Sequence, residues 1–581
     1  MAARMFDFQG LRETLIDQTS TELEWTESEE SDCDIFTEFL DHEFMYESTD
    51  DSLYSKYSPI KETIPTNNSD YYLGKDKITK WYKVPLKKPD REFLEILKPS
   101  TGSHNNASYT NTIIDCWLLF IDDKIFELVV HYTNLFIAKL RPLFKQKQDC
   151  NDTNVKEIKS FVGLLVLMGL LKSKNQNCDE LWEQCGLGVD VFRLTMSLSR
   201  FKFLLRTIHF DDENDRLSRK EIDNLVIIRE IFELFVENCQ KNYSVGDNIT
   251  ICEFLIEYKG ECPSYLHVKE KFSRCGMKIY ASIDTNSFYV SNMVIHVKQQ
   301  LKSTCKDLND PENIVRYFVT KVQGQSQNII LNTSLSSIPL IKNLYNNNSH
   351  ITVIGSVDKN DQQIPLEFIT KSNKPPNSCM YGFRENMILL SYFSNKNENT
   401  ILFSTPSNTN DFDEETVDHS SIINSYEKAL NAVNKIKQMI HEYSVARRTR
   451  RYSLSIWFYM INIACLNSFI VYCSKSNNHI SRREFLKQLG LRLVNDSIKD
   501  RASDKYLAKQ LRENAAQFSS TQPFHPQIYN EVENKAMRCT VCPRKRDIKV
   551  RTFCYQCKLP MCKKHMSSVC ENCVNSALNV T

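Results

Sequence analysis

The chain has 581 residues, of which 41% are hydrophobic, and its formal net charge is +1. A chain of this size can bury several hydrophobic cores, which excludes a single small module, and its length predicts three or four domains. Its charges are unevenly spread: residues 22–51 contain thirteen Asp and Glu and no Lys or Arg, whereas residues 535–564 contain ten Lys and Arg and one acid, Asp547. An acidic and a basic segment in one chain are typical of proteins that meet nucleic acid.

Two segments decide the expected compartment. Residues 1–16 lack the charged, apolar and small-residue regions of a secretory signal, so we expect a reducing compartment and free thiols at most cysteines outside the C-terminal cluster. Leu454–Cys473 has twenty residues without a charge, the length of a membrane span. It contains Ser455, Asn462, Asn467 and Ser468, whose polar groups lipid could not satisfy, so we predict a buried core helix and no membrane.

The first 110 residues are predicted to be acidic and mostly disordered. The acidic run is followed by polar clusters at residues 66–70 and 100–108, which disfavour a packed core. Five aromatic residues among the acids leave open a short helix that binds a protein partner: Trp25, Phe36, Phe39, Phe44 and Tyr46.

Helical periodicity begins near Asn111. Apolar residues at spacings of three and four predict helices over Val155–Leu171 and Glu221–Tyr243. From Gly246 onward, short β-rich runs predict strands over Asn248–Tyr258, Met277–Ile283, Phe288–Val297, Asn328–Leu331 and His350–Ser356. Helices over Ile338–Tyr345 and Ser421–Tyr443 and a strand pair within Met380–Thr405 complete the pattern. This mixed α/β order is compatible with an RNase H-like core that carries an insertion.

The C-terminal region contains four pairs of soft metal ligands, each with two residues between its members. The pairs are Cys539 and Cys542, Cys554 and Cys557, Cys562 and His565, and Cys570 and Cys573. Eight such ligands suffice for two closed, structural Zn²⁺ sites, and a module this short would take most of its folding free energy from the metal.

Spacing within this module favours interleaved sites, because only four residues separate the second pair from the third and the third from the fourth. In this cross-brace, Cys539, Cys542, Cys562 and His565 bind one ion, while Cys554, Cys557, Cys570 and Cys573 bind the other. Pairing the first with the second and the third with the fourth is an alternative. A metal-free set of thiols or a disulfide knot is another.

Two basic clusters predict contacts with phosphates. The first is Arg447, Arg448, Arg450 and Arg451, and the second, in the cysteine-rich module, includes Arg544, Lys545, Arg546, Lys563 and Lys564. Such side chains supply salt-dependent affinity rather than base specificity. Either run alone would equally suit a solvated face or a nuclear-import signal, but together with the metal module they favour binding to double-stranded DNA.

Several motifs resemble the piggyBac transposase family, and they occur in the family's order between about Asn111 and Cys573. They are Arg200-Phe201-x-Phe203-Leu-Leu-Arg206, Phe210-Asp211-Asp212, Gly260-x-Cys262-Pro263, Ser336-Ser-Ile-Pro-Leu340, and Met460-Ile-Asn-Ile-Ala-Cys465-Leu-Asn467-Ser-Phe469. The resemblance places Tyr452 where the family has a tryptophan, as a conservative substitute that keeps an aromatic face for stacking.

The resemblance implies a multidomain α/β protein: an RNase H-like core with a β-rich insertion, flanked by a split helical DNA-binding and dimerisation domain, plus a small C-terminal cross-brace zinc finger. Family members cut and paste DNA at TTAA sites through a hairpin intermediate. The implied boundaries are 1–110 for the acidic region, 111–247 and 444–530 for the two helical parts, 248–356 and 419–443 for the two parts of the core, 357–418 for the insertion and 536–575 for the finger.

The family's three catalytic aspartates are replaced in this chain. The matching positions read Ile251-Cys252-Glu253, Ile330-Leu331-Asn332-Thr333 and Asn431-Ala432-Val433-Asn434. A pair of Mg²⁺ ions needs anionic oxygen ligands, so Cys252, Asn332 and Asn434 are expected to be vestigial positions that pack or hydrogen-bond, with no Mg²⁺ bound. Glu253 would point away from the site if Cys252 points toward it, because strand side chains alternate.

These observations favour a piggyBac transposase-derived DNA-binding protein that is domesticated or degenerate, catalytically inactive and nuclear. A homodimer, or a hetero-oligomer with a related transposase, is expected. One alternative is residual metal-dependent transposase or nuclease activity through a relocated carboxylate. Another is a scaffold that reads chromatin or protein partners through a finger of the RING or PHD type.

Overall fold

In the computed structural model of the protein, the chain divides into two compact units, Met1–Ala515 and Ala516–Thr581. The structure describes residues 61–62, 70–85, 102–103, 107, 110, 112–144, 150–258 except 175, 185, 187, 221, 222 and 224, 267–269, 275–297, 310–321, 327–347, 351–370, 375, 377–394 except 386, 398–406, 420–475, 480–521, 537–539, 542, 546, 549–550 and 562–565.

Helices dominate the chain on either side of its central strands. They are α1 Ile113–Leu118, α2 Asp123–Leu140, α3 Val155–Leu170, α4 Cys178–Trp182, α5 Asp190–Thr195, α6 Leu198–Thr207, α7 Arg216–Lys220, α8 Arg229–Lys241, α9 Pro311–Thr320, α10 Ile338–Asn347, α11 Leu366–Ile369, α12 Ser420–Glu442, α13 Tyr452–Lys475, α14 Arg482–Ser503 and α15 Lys509–Thr521. Several begin where a side chain accepts a hydrogen bond from the first turn, as Asp122, Asn154 and Ser481 do for α2, α3 and α14.

The strands of the first unit are β1 Lys61–Glu62, β2 Tyr71–Leu73, β3 Lys80–Tyr82, β4 Gly102–Ser103, β5 Tyr243–Ser244, β6 Asn248–Glu257, β7 His267–Lys269, β8 Cys275–Asp284, β9 Val290–Ile295, β10 Gln327–Leu331, β11 Ile351–Ser356, β12 Ser378–Arg384, β13 Met387–Phe393 and β14 Asn399–Ser404. The second unit contributes the hairpin strands β15 Met537–Arg538 and β16 Lys549–Val550.

Twelve of these strands form one mixed sheet in the order β2-β3-β12-β13-β14-β11-β10-β6-β8-β7, with β9 paired to β8 and β1 to β12. At its centre β10 is parallel to both β6 and β11, whereas β8 is antiparallel to β6 and to β9. Leu331 lies opposite Ile251 in the β10–β6 register, so the carboxyl end of β10 lies beside the middle of β6.

Helices cover both faces of this sheet. Ile314 of α9 and Ile341 of α10 belong to a core with Ile251 and Ile329 on one face. On the other face Ile423 and Tyr426 of α12 pack in a second core with other strand residues, among them Ile330, Ile354 and Leu390. Alternate residues of β10 therefore pack into the cores on opposite faces of the sheet, as expected because strand side chains alternate.

Residues 61–62 and 70–85 form regular structure within the first 110 residues, which were predicted to be mostly disordered. They form β1, β2 and β3, which extend the sheet. Trp81 is fully buried, contacts Phe403 edge-to-face and donates from Nε1 to the Gln363 carbonyl at 2.8 Å. Gly382 permits this packing, because a Cβ there would lie 3.0 Å from Trp81 Cβ. The signal was missed because two three-residue strands are too short to show periodicity.

Two further boundaries differ from the sequence predictions. Residues 378–404 form three strands, β12 to β14, rather than a pair, because the two polar connections are too short to stand out. The helix expected from Glu221 begins at Arg229, after a hydrogen-bonded turn in which Asp223 accepts from the Leu225 amide and binds the Arg229 guanidinium.

By length and composition alone, helix α13 is long and apolar enough to cross a membrane. However, 83% of its 18-residue apolar stretch is buried inside the protein. Its buried amides find partners there. Asn467 accepts from the Val290 N–H at 3.0 Å and donates to the Val290 carbonyl at 2.8 Å, and Asn462 accepts from the Val445 N–H at 3.0 Å. These contacts support a core helix.

Helices α3 and α14 pack closely although their contacting residues are more than 300 positions apart. Ser160 donates to the Leu493 carbonyl, 333 residues away, at 3.1 Å. Glycines allow this approach, since a Cβ on Gly163 would lie 2.7 Å from Leu493 Cβ and one on Gly490 would lie 2.8 Å from the Leu167 side chain. The helices before and after the sheet thus share one interface.

Candidate metal centre and nucleic-acid interface

Four ligand side chains of the second unit converge on one point. The Sγ atoms of Cys539, Cys542 and Cys562 and a ring nitrogen of His565 all lie within 4.8 Å of one another. Cys542 Sγ is 3.7 Å from Cys562 Sγ, and His565 Nδ1 is 3.6, 3.4 and 3.3 Å from the sulfurs of Cys539, Cys542 and Cys562.

These separations fit a zinc tetrahedron. Zn–S bonds of about 2.3 Å and Zn–N bonds of about 2.0 Å at tetrahedral angles place two sulfurs about 3.8 Å apart and sulfur about 3.5 Å from nitrogen. The observed edges agree with these values to a few tenths of an ångström. A metal such as zinc could therefore be held by this Cys₃His group.

Local structure positions the four ligands. Cys539 directly follows β15 of the β15–β16 hairpin and accepts a hydrogen bond at Sγ from the Cys562 N–H at 3.3 Å. A turn closed by the His565 N–H and the Cys562 carbonyl, at 2.9 Å, aims both members of the third pair inward.

Both the turn that carries Cys562 and His565 and the hairpin that carries Cys539 are short, so the ligands depend on one another for their positions. Burial, followed by the neighbouring thiols of Cys562 and Cys539, raises the pKa of the Cys542 thiol to about 11. A divalent cation would reverse this by stabilising the thiolates, which is how metal binding couples to the folding of such modules.

The group consists of the first and third ligand pairs, which is the set that the cross-brace assigns to its first ion. Cys554, Cys557, Cys570 and Cys573, the predicted ligands of the second ion, lie outside the described residues, as do Arg544 and Lys545. Arg546, Lys563 and Lys564 are exposed, so the finger presents positive charge next to its ligands.

The basic run after α12 divides into two kinds of arginine. Arg447 donates from Nη2 to the Gln176 carbonyl at 2.7 Å and also binds the Ser173 carbonyl. Arg451 is 9% exposed, donates from Nη1 to the Arg206 carbonyl at 3.0 Å and also binds the Ile208 carbonyl. These two guanidinium groups hold the connection between α12 and α13 against the earlier helices.

Arg448 and Arg450 are exposed, so they are the members of this run that can reach a phosphate in the described conformation. Tyr452 is 4% exposed as the first residue of α13. This burial corrects the expectation that Tyr452 stacks on DNA, because its ring lies within the protein core. A sequence pattern of basic residues before an aromatic one cannot separate side chains that bind carbonyls from those that face solvent.

The three positions expected to be vestigial lie on three elements that contact one another, β6, the end of β10 and α12. Cys252 is on β6, Asn332 directly follows β10, and Asn434 is on α12, which packs against both strands. Because Leu331 lies opposite Ile251, Asn332 is placed next to Cys252 on the neighbouring strand. The tertiary structure thus gathers residues that are 182 positions apart in the chain, from 252 to 434.

The chemistry of these side chains does not suit Mg²⁺. Cys252 is 2% exposed, and burial raises the pKa of its thiol to about 12, so the group is a neutral thiol at physiological pH. Asn332 and Asn434 offer only neutral amide oxygens, which are weak ligands for Mg²⁺. Among the residues that the structure describes, the Cys₃His group is the only cluster of three or more His, Cys, Asp or Glu side chains suited to a metal.

The adjacent carboxylate, Glu253, is already paired. Its Oε2 lies 2.7 Å from Lys278 Nζ on β8, and its charge raises the pKa of Tyr280 on the same strand, after the larger effect of burial. Tyr280 belongs to the core that α9 and α10 cover, which is the face opposite α12. Ser334 contacts both Glu253 Oε1 and Asn332 Oδ1, the latter at 3.1 Å.

One residue at this place was not singled out from the sequence. Lys437, on α12, lies one turn after Asn434, and its Nζ is 6.0 Å from the centroid of the Phe254 ring on β6. The ammonium also acts on Cys252, since it lowers the pKa of that thiol against the larger effect of burial. A lysine in a helix with many exposed polar residues carries no sequence signal of this proximity.

Comparison with known proteins identifies relatives of a large part of this chain. The family model described as "Transposase IS4" matches residues 114–469. The human PiggyBac transposable element-derived protein 3 is 23% identical over 257 residues, which is 43% of this chain and 40% of the human protein. The match therefore spans well under half the length of that curated relative.

A solved structure agrees with the fold. The cryo-EM structure of the piggyBac transposase synaptic complex with hairpin DNA superimposes with a TM-score of 0.66 at 27% sequence identity, covering 82% of this chain and 100% of that one. The family model spans more than half of the sequence and the structural neighbour covers most of it. The chain belongs to the transposase IS4/piggyBac-type family.

Proposed function

We propose that this protein is a piggyBac transposase-derived DNA-binding protein that does not cut DNA. The observation that carries the proposal is the set Cys252, Asn332 and Asn434, which lies where the resemblance expects three metal-binding aspartates. Two-metal strand cleavage needs anionic ligands to hold the ions that activate water and stabilise the leaving oxygen. A buried thiol and two amides do not supply them.

The order of the central strands supports assigning this region to an RNase H-like core. Strands β9, β8 and β6 are antiparallel neighbours, and β6, β10 and β11 are parallel ones, with α10 connecting β10 to β11. Strands β12 to β14 lie between β11 and α12 in the sequence, which is where the insertion is expected. We assign the helices before and after this region to a split domain for DNA binding and dimerisation, on the contact between α3 and α14.

The Cys₃His group and the basic residues around it support DNA recognition by the finger. Arg546, Lys563 and Lys564 are exposed beside the ligands, and Arg448 and Arg450 are exposed in the other basic run. Such cations gain affinity by releasing counterions from the phosphate backbone. We propose a second structural Zn²⁺ at Cys554, Cys557, Cys570 and Cys573, a nuclear location, and assembly as a homodimer or with a catalytic relative.

A selection experiment tests this function. Zinc-loaded, full-length protein is incubated with a pool of random duplex DNA in the presence of Mg²⁺, and the retained DNA is sequenced and examined for strand breaks. We expect an enriched, intact motif that is lost for Cys539→Ser, because that variant removes a ligand of the Cys₃His group.

Two outcomes would contradict the proposal. Broken ends that depend on Mg²⁺ would show a retained nuclease with relocated ligands. If the folded, zinc-loaded protein retained no DNA, the result would instead favour protein recognition as the role of the finger. Co-purification with a related, catalytically active transposase is the separate test of the hetero-oligomer.

A further inference from the structure

Helix α12 packs against β6, the strand of Cys252, and has a stretch with basic residues and no acidic ones. Between Glu427 and Glu442 it contains three lysines, one histidine and no acid. Asn434, Lys437 and His441 are exposed, and Asn434 and Lys437 lie one turn apart on the same flank. This flank therefore combines a cation with a neutral hydrogen-bonding group.

The position of Lys437 is defined by contacts with β6. Its Nζ lies 6.0 Å from the centroid of the Phe254 ring, and Phe254 is two residues beyond Cys252, so both side chains lie on the same face of the strand. In the part of the chain that the structure describes, no carboxylate forms an ion pair with Lys437; the nearby Glu253 is bound to Lys278.

The carboxyl end of β10, which lies beside Cys252 in the register of β10 and β6, carries neutral side chains. Asn332, at the end of β10, is partly exposed, and the next two residues, Thr333 and Ser334, are exposed hydroxyl residues. If Cys252, Asn332 and Asn434 were aspartates, they would attract the ammonium into an ion pair. Because they are neutral, the positive charge of Lys437 is available to an external anion.

We propose that Lys437 holds a backbone phosphate of bound DNA at this site without a divalent metal, with Asn434 and the Asn332 end of β10 as neutral hydrogen-bonding neighbours. The inference rests on the proposed DNA-binding function and extends it to a specific contact. A compact ammonium suits a phosphate oxygen as a point charge. Cys252, Asn332 and Asn434 do not supply the anionic ligands of a metal ion that would activate water, so the phosphodiester is bound and left intact.

The test measures DNA affinity against salt concentration. Zinc-loaded, full-length protein and the variants Lys437→Met, Lys437→Arg and Lys435→Met are titrated with a random-sequence duplex in buffer without Mg²⁺. Lys435 is the matched control, because it is exposed on the same helix but about 200° around the axis from Lys437.

We expect Lys437→Met to weaken binding by about three- to tenfold and to reduce the slope of log K against log salt by about 0.9, the effect of losing one phosphate contact. Lys437→Arg keeps the charge and should stay within about twofold of the parent, as should Lys435→Met. Asn434→Asp, which places an acid one turn from Lys437, should weaken binding to a similar degree as Lys437→Met.

Equal affinity and equal slope for the parent and Lys437→Met would overturn the inference while leaving DNA binding intact. Equal losses for Lys437→Met and Lys435→Met would also overturn it, because they would indicate a general effect of charge. Failure of the parent protein to bind any duplex would instead reject the proposed function. Thermal denaturation of each variant checks that the fold is retained.

Discussion

At the scale of single residues, the buried amides of α13 show how a sequence feature acquires a structural role. Asn467 bonds to both the N–H and the carbonyl of Val290, the first residue of β9. Asn462 similarly binds the chain just before α13. The sequence predicts that these amides need partners inside the protein, but it does not name those partners, because they lie on distant segments.

The first prediction concerns Asn467→Leu. This change leaves the Val290 N–H and carbonyl buried without partners, so the free energy of unfolding should fall by about 2–4 kcal/mol. Chemical denaturation followed by tryptophan fluorescence measures the loss, and faster hydrogen exchange of the Val290 amide localises it. Asn431→Leu, at an exposed position of α12, is the control and should change stability by less than about 0.5 kcal/mol. Equal losses for the two variants would contradict the assignment.

The second prediction concerns the thiol of Cys252. Because burial raises its pKa to about 12, the thiolate that reacts with alkylating agents is almost absent at pH 8. In native protein treated with iodoacetamide, peptide mass spectrometry should find Cys252 unmodified while the partly exposed Cys178 is labelled. Denaturant should make both react. Rapid labelling of Cys252 in the native protein would show that this position is open to solvent.

At the scale of elements, one buried side chain anchors the hairpin of β2 and β3 to the sheet. Trp81 of β3 is fully buried against Phe403 of β14 and bonds to the Gln363 carbonyl, so an otherwise short hairpin gains a large apolar contact. Two or three strands without such an anchor would be marginal in water.

The third prediction is therefore that Trp81→Ala destabilises the protein by about 3–5 kcal/mol, through the lost transfer free energy and the cavity left behind. Limited proteolysis should cut the variant first near residues 74–79, where the hairpin turns. Ile78→Ala is the control, since Ile78 is 81% exposed and its truncation removes almost no buried surface. Resistance of the Trp81 variant to both denaturant and protease would contradict this role.

The fourth prediction tests the metal ligands of the finger with Co²⁺, whose visible absorption distinguishes a Cys₄ from a Cys₃His site. The structure groups Cys539 with Cys542, Cys562 and His565. Cys539→Ser should therefore abolish the Cys₃His spectrum and leave the Cys₄ spectrum of the other ligands. Retention of the Cys₃His spectrum would instead support pairing of the first with the second ligand pair. Chelation should unfold the finger.

At the scale of the whole molecule, positive charge is divided between exposed and structural positions. Arg447 and Arg451 bind backbone carbonyls, whereas Arg448, Arg450, Arg546, Lys563 and Lys564 are exposed. The near-zero net charge of the chain conceals this arrangement, because the acidic residues are concentrated elsewhere. Affinity for DNA should depend on the exposed set.

The fifth prediction is a steep salt dependence of DNA binding by the full-length protein. If two to four exposed cations contact phosphates, raising the salt from 50 to 200 mM should weaken binding by about ten- to a hundredfold. Arg448→Gln together with Arg450→Gln should reduce the slope, whereas Arg447→Gln should chiefly lower stability, because its guanidinium is bonded to carbonyls. A slope unaffected by the exposed arginines would remove this run from the interface.

Much of the element pattern is accessible from the sequence, because it depends on local periodicity. The predicted strands over Asn248–Tyr258 and His350–Ser356 and the predicted helices over Val155–Leu171 and Ser421–Tyr443 differ from the observed elements by at most a residue or two at each end. The short strands β1 to β3 escaped prediction, since a few residues carry no period. The four pairs of soft ligands are evident from the sequence because their spacing is itself the signal.

The sequence by itself therefore determined the mixed α/β class and the soft ligands of the finger, and the family resemblance added the expectation that Cys252, Asn332 and Asn434 stand in place of three acids. These depend on residue type and local spacing. The tertiary structure decided which arginines bind carbonyls, that Tyr452 is buried, and that Lys437 lies near Cys252. These features depend on contacts between segments that are far apart in the chain. Local residue patterns do not reveal which distant segments come into contact.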